Sequence, residues 1–197
     1  MKKFIAVTGG IGSGKSTVID WIKTMGYPIF SCDEIYNEIF HDHDYICELN
    51  KNFKNVVVDG VINRVALREL VFSDKQAREK INSLAHPRVM AKLFSLMNAC
   101  DNDLIFAEVP LLFEGKFEKD FDGVIVVMRD ISLRIEAIRV RDGENKEKAL
   151  EKIRSQFDYE AKESLRKFEE DKYQIIINNS SIADLQKQVE KSVKTFL

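Results

Sequence analysis

Cysteine is scarce in this chain. Cys32, Cys47 and Cys100 are neither even in number nor closely paired, which argues against a disulfide framework or a cysteine zinc site and for free thiols in a reducing compartment. Such cysteines are expected as small buried hydrophobes. Long apolar runs are missing as well. Phe4-Ile5-Ala6-Val7 follows Met1-Lys2-Lys3 in the manner of an export signal, but it stops at Thr8-Gly9-Gly10, too early for one. No stretch approaches the roughly twenty apolar residues of a membrane span, so a cytoplasmic protein with no membrane partner is expected. Nor is there an excess of either charge: a formal net charge of -2 argues against a general nucleic-acid coat, while leaving room for a local basic pocket that binds a small polyanion. Internal repeats and low-complexity linkers are also absent.

What remains is globular. With 45% hydrophobic and 31% charged residues over 197 positions, one folding unit with insertions is expected. Phe4 to Val7 reads as a strand running into glycines, followed by a helix with Val18, Ile19, Ile22 and Met25 on one face and Gly26 as its stop. Tyr27 to Phe30 is a second strand, and a helix begins near Asp33, whose carboxylate suits a helix start. From Tyr45 to Cys100 the pattern is mostly helical, broken by the Asp59-Gly60 turn and by Pro87 after His86. Leu104 to Val109, Val124 to Met128 and Ile175 to Ile177 read as fully buried parallel strands. Ser132 to Asp171 is charged and helix-favouring, with Gly143 breaking it, and reads either as a solvated surface or as a mobile lid. Ile182, Leu185, Val189 and Val193 mark a final helix. The alternation predicts a three-layer α/β fold with a parallel sheet of about five strands, with ligands at the C-terminal strand ends.

Gly9-Gly10-Ile11-Gly12-Ser13-Gly14-Lys15-Ser16 has the spacing of a phosphate-binding loop and lies where the mechanism needs it, between a strand and a helix. Its glycines let backbone N–H groups turn toward phosphate oxygens, and the helix adds its positive end. Lys15 can reach the β- and γ-phosphates of a nucleoside triphosphate such as ATP, and the Ser16 hydroxyl can ligate Mg²⁺. The loop alone does not separate kinases from GTPases or motor ATPases. A guanine-reading Asn-Lys-X-Asp segment is not supplied by Ile175-Ile176-Ile177-Asn178-Asn179-Ser180. Small size and a helical insertion suit a phosphotransferase that encloses donor and acceptor away from water.

At this point the residues resemble the dephospho-coenzyme A kinase family along nearly the whole chain. The resemblance is carried by Val7 to Thr17, Asp33-Glu34-Ile35, Asp59-Gly60-Val61-Ile62-Asn63-Arg64 with Leu67-Arg68 and Val71-Phe72, Asn82 with His86-Pro87, and Val109-Pro110-Leu111-Leu112-Phe113-Glu114. Ser31 and Glu108 depart from it, standing where members often carry aspartates. The resemblance implies a single P-loop kinase domain over 1–197, with a helical acceptor-binding insertion at about 34–102 and a lid at about 139–170. It also implies transfer of the ATP γ-phosphate to the ribose 3′-hydroxyl of dephospho-coenzyme A, the last step of coenzyme A synthesis. Gly10, Ile11, Gly12, Ser13, Gly14, Lys15, Ser16, Thr17 and Arg139 are then expected around the donor, and Thr8, Asp33, Arg64, His86 and Pro87 toward the acceptor.

The chemistry fits the residues independently. A ribose hydroxyl is a poor nucleophile, and Asp33 at a strand end is the candidate base, a role compatible with helix capping. Charge on the transferred phosphoryl calls for planar cations, and the resemblance implies Arg139 or Arg141, where the family places its lid arginines, with Arg139 preferred. Arg64 and Arg68 suit the acceptor's phosphates, His86 suits either the acceptor or a fixed turn between helices, and His41 and His43 are expected in solvent. The alternatives are another P-loop kinase acting on a nucleoside monophosphate or metabolite, and a slow nucleotide-dependent switch. A monomer is expected.

Overall fold

The computed structural model describes residues 1–197, and the chain divides into two compact units, Met1–Phe30 with Cys100–Leu197, and Ser31–Ala99. No helix is long and apolar enough to cross a membrane.

The first unit is built on a five-stranded sheet: β1 (Lys3–Gly9), β2 (Ile29–Ser31), β5 (Leu104–Glu108), β6 (Gly123–Met128) and β7 (Tyr173–Ile177), in the order β2-β5-β1-β6-β7. β1 pairs in parallel with β5 and β6, and β6 with β7. All five expected strands are present. One face carries Ile5, Val7, Phe106, Ile125, Val127 and Ile176 into a core completed by Val18, Ile19 and Ile22 of α1 (Lys15–Thr24) and by Leu185, Val189 and Val193 of α9 (Ile182–Lys194). Burying each such side chain contributes about 1.5–3 kcal/mol, which holds both helices on the sheet. Ile182 does not join that stripe. It follows the Ser181 cap as the first helical residue and is exposed. β7 also departs from the fully buried expectation, because it is an edge strand: Ile176 is buried, whereas Ile175 and Ile177 are exposed. The Gln188 side chain covers part of this edge, accepting from Ile177 N–H at 2.9 Å and donating to Ile177 C=O at 3.0 Å, which satisfies groups an edge otherwise leaves open.

α6 (Ile131–Asp142), α7 (Lys146–Arg154) and α8 (Lys162–Lys167) fill the charged stretch, with Gly143 at φ +68° closing α6 as the sequence suggested. Ile135 and Ile138 of α6 pack on Ala149 and Ile153 of α7.

The second unit contains α2 (Cys32–Ile39), α3 (His43–Asn52), the hairpin β3 (Val57–Val58) and β4 (Val61–Ile62), α4 (Arg64–Ser73) and α5 (Lys75–Ala99). Asp59 and Gly60, both at positive φ, make the hairpin turn. α5 is the spine against which α2, α3 and α4 pack. The expected break at Pro87 is not there, because α5 runs unbroken through it. Pro87 lies on the exposed side, while Ile81, Ala85, Val89 and Leu93 bury a continuous stripe that outweighs the roughly 3 kcal/mol a proline costs inside a helix.

Of the cysteines, only Cys32 is buried, and all three are free thiols.

Candidate active site

The loop leaving β1 sits in the middle of the C-terminal sheet edge because β1 is the central strand. Its carbonyls are turned into the protein one after another. Gly10 C=O accepts from Ser13 N–H at 3.1 Å, and Gly14 C=O from Thr17 N–H at 3.1 Å. Ile11 C=O accepts from Arg134 Nε at 3.0 Å, Gly12 C=O from Arg129 Nη1 at 3.4 Å, and Ser13 C=O from Asn178 Nδ2 at 2.9 Å. Five consecutive carbonyls are thus engaged, each bond worth about 1 kcal/mol net. The amides of Gly12, Gly14, Lys15 and Ser16 have no acceptor within the protein. Gly14 precedes α1 at φ +87° with no side-chain cap, and the first turn of α1 holds no acid, so the positive helix end is left for an anion.

Sheet register explains these partners. Gly9 pairs with Val127, two residues before Arg129, and Met128 pairs with Ile177, one before Asn178. Arg134 projects from the first turns of α6 and is buried at 7% exposure. Burial draws its guanidinium below its usual pKa, opposed by the charges of Glu160, Tyr159 and Asp158. The loop glycines admit these neighbours. A Cβ at Gly10 would collide with the Arg134 guanidinium, one at Gly14 with Asn178 Nδ2, and one at Gly12 would lie 2.7 Å from the Arg134 carbonyl oxygen.

Lys15 Nζ stands 3.8 Å from Glu108 Oε1, with side chains 15% and 20% exposed. Glu108 ends β5, paired with Val7, and its reach brings a carboxylate beside the lysine. Ser16 and Thr17 are exposed in the first turn of α1. Thr8 is fully buried, its Oγ1 sharing a hydrogen bond of 3.2 Å with Tyr159 Oη. Burial, the leading cause, pushes the Tyr159 phenol up to about 12.

The segment after α7 lies over the loop. Gln156 Oε1 accepts from Ile11 N–H at 2.6 Å, and Phe157 N–H donates to Glu114 Oε1 at 2.9 Å. Phe113, Phe157, Tyr159, Phe168 and Tyr173 form one aromatic cluster, with ring centroids 4.6 to 6.4 Å apart, and Lys167 bonds Glu118 at 2.6 Å beside it. A cavity of about 270 Å³ opens between this segment and α6, lined among others by Arg134, Gln156, Tyr159 and Glu160.

The remaining expected residues are placed as follows. Arg139 is exposed in the last turn of α6 and pairs with Glu136 at 2.9 Å, and Arg141 pairs with Asp142 at 2.7 Å. The arginines against the loop are Arg129 and Arg134, neither singled out from sequence. Within the second unit, Asp33 is exposed in the first turn of α2 and is not its cap, a position held by Ser31. Arg64 stacks over Phe40 at 4.7 Å and donates to Asn37 Oδ1 at 3.2 Å, while Arg68 lies over Phe72 at 5.7 Å. His86 is half-buried inside α5 rather than at a turn, and burial lowers its pKa. His41 and His43 are exposed, as expected.

Similarity to known proteins extends over nearly the whole chain. The family profile described as dephospho-CoA kinase matches residues 3–184. A dephospho-CoA kinase of Fusobacterium nucleatum is 35% identical, over 97% of this chain and 97% of its own length. The solved structure of dephospho-CoA kinase from Campylobacter jejuni matches with a TM-score of 0.70 at 32% identity, over 100% of this chain and 98% of its own. A crystal structure from Thermus thermophilus matches with a TM-score of 0.84 at 28% identity, over 100% and 98% of the two chains.

Proposed function

This chain belongs to the dephospho-CoA kinase family, and on that premise we propose that it transfers the γ-phosphate of ATP to the ribose 3′-hydroxyl of dephospho-coenzyme A. The observation that carries the donor half is the loop in which five carbonyls face the protein while the amides of Gly12, Gly14, Lys15 and Ser16 stay open. Amides so arranged, with Lys15 beside them, stabilise the β- and γ-phosphate oxygens as charge shifts among them. Reorganising them costs nothing at the moment of reaction, because their carbonyls are already tied.

Magnesium neutralises phosphate charge when bound. No three His, Cys, Asp or Glu side chains gather as a cation cage, and none is needed, since this ion keeps waters and phosphate oxygens and takes one or two protein ligands. Ser16, exposed at the start of α1, would hold it through its hydroxyl, with the Glu108 carboxylate as an outer partner.

Asp33 follows the last residue of β2 by two positions. In this reading its carboxylate orients the acceptor hydroxyl and takes its proton as the new P–O bond forms. Arg139 exchanges Glu136 for the transferred phosphoryl group when the lid at about 139–170 closes. The insertion at about 34–102 holds the acceptor: Arg64 meets its phosphates, and His86 and Pro87 border it. The protein acts as a monomer in the cytoplasm and needs no nucleic acid. Comparing ADP release with dephospho-coenzyme A, with nucleoside monophosphates and with no acceptor tests this reading. Release that rises only with a nucleoside monophosphate would assign the chain another acceptor.

A further inference from the structure

Ile11 is anchored in three ways. Its side chain packs on the apolar contact between α6 and α7 formed by Ile135, Ile138, Ala149 and Ile153. Its carbonyl accepts from Arg134 Nε at 3.0 Å, and its N–H donates to Gln156 Oε1 at 2.6 Å. The orientation of the Gln156 amide is forced, because a backbone N–H can only donate and must meet the oxygen. The flanking residues are both glycine, and Gly12 sits at φ +78°. Two glycines beside one peptide give that peptide wide conformational freedom unless something holds it.

We infer that Gln156 is a positioning residue for the phosphoryl donor: by fixing the Ile11 peptide, it pre-sets the following amides and makes donor affinity depend on a side chain carried two residues beyond α7. Without that bond the loop samples several peptide orientations, and a triphosphate must order it on binding, which weakens affinity. The acceptor does not share this cost. A loss confined to donor binding therefore separates positioning from a general loss of stability. The same bond ties the segment after α7 to the loop, beside the apolar contact that Ile11 makes with α6 and α7.

The inference rests on the loop being the donor site, so the experiment measures ATP affinity in the absence of acceptor. Gln156→Met keeps the length and volume of the side chain but offers only a weak acceptor, and Gln156→Glu keeps an oxygen for the Ile11 N–H. Hydrogen exchange of the Ile11 amide is followed by NMR, ATP affinity by titration with Mg-ATP, and the acceptor KM by turnover. In Gln156→Met, Ile11 exchange is expected to accelerate about tenfold or more. Its ATP Kd is expected to rise roughly three- to tenfold, the share of one neutral hydrogen bond, with the acceptor KM unchanged. Gln156→Glu is expected to keep the Ile11 amide protected. Unchanged exchange and unchanged ATP affinity in Gln156→Met overturn the inference, as does Ile11 exchange in Gln156→Glu as fast as in Gln156→Met. Failure of the wild-type protein to bind ATP overturns the donor-site reading instead.

Discussion

Lys15 Nζ lies 3.8 Å from Glu108 Oε1, a pair made by the first residue of α1 and the last residue of β5. Both belong to elements fixed by the core, so the ammonium is held near the loop before any phosphate arrives. The gross attraction at this separation is about 4 kcal/mol at an effective dielectric of 20, and desolvation offsets much of it. Lys15 can therefore exchange Glu108 for a phosphate oxygen at little net cost.

Removing the lysine charge removes a contact that strengthens as charge moves during transfer. Lys15→Met is expected to lower kcat/KM for ATP by about 10²- to 10³-fold. Glu108→Gln, which keeps the shape and releases the lysine, is expected to leave the KM for ATP within about threefold, since desolvation offsets much of the attraction in this largely buried pair. Steady-state kinetics check both. A Lys15→Met enzyme within tenfold of wild type would contradict the role given to Lys15.

The loop glycines should differ in tolerance. A Cβ at Gly12 meets backbone, the Arg134 carbonyl oxygen at 2.7 Å, on a residue at φ +78°, whereas one at Gly10, which is not at positive φ, meets the guanidinium end of the Arg134 side chain. Gly12→Ala is expected to cost about 1–3 kcal/mol of stability plus most ATP binding, and Gly10→Ala less of both. Thermal unfolding and nucleotide titration give the order, and the reverse order would refute the packing argument.

The Glu118–Lys167 pair, 2.6 Å apart beside the aromatic cluster, predicts a pH dependence. Burial works to raise the Glu118 carboxyl, but the Lys167 hydrogen bond and charge outweigh it, and its pKa falls below the ordinary 4.5. A depressed carboxyl stabilises the fold above its unfolded pKa and loses that contribution as pH falls through the folded value. Glu118→Gln is expected to destabilise by about 1–2 kcal/mol at pH 7, discounted for the partly exposed lysine. That difference should shrink below pH 4.5, as read from denaturant midpoints across pH. A difference that persists unchanged at low pH would show that packing, not the charge, is responsible.

The base assignment separates binding from chemistry. Asp33→Asn keeps the size of the side chain but cannot take a proton, so turnover is expected to fall about 10²- to 10⁴-fold while ATP affinity stays near wild type. Equal turnover in this variant would remove Asp33 from the mechanism.

The strands and the loop were legible because their signals are local: Phe4 to Val7 ends in the glycines that need its position, and Val18, Ile19 and Ile22 repeat on one helical face. What holds the loop was not legible. Arg129, Arg134, Gln156 and Asn178 lie 117 to 165 residues from the atoms they bind, and only the pairing of Gly9 with Val127 and of Met128 with Ile177 brings two of them there. Asn178 was in view as part of a missing guanine-reading segment, yet its position just past the last strand was itself a signal. Arg134 was recoverable as a charged residue beside Ile135 and Ile138 on the buried stripe of α6. Pro87 misled because proline breaks helices locally, while the burial that carries α5 through it is tertiary.

The most direct measurement of the central claim is the identity of the phosphorylated product. Purified protein, Mg-ATP and dephospho-coenzyme A are incubated together, ADP is quantified, and the product is located by mass and phosphorus NMR. The account predicts one ADP per acceptor consumed, with the new phosphate on the ribose 3′-oxygen. ADP release at the same rate with and without dephospho-coenzyme A, or an acceptor recovered unmodified, would contradict it.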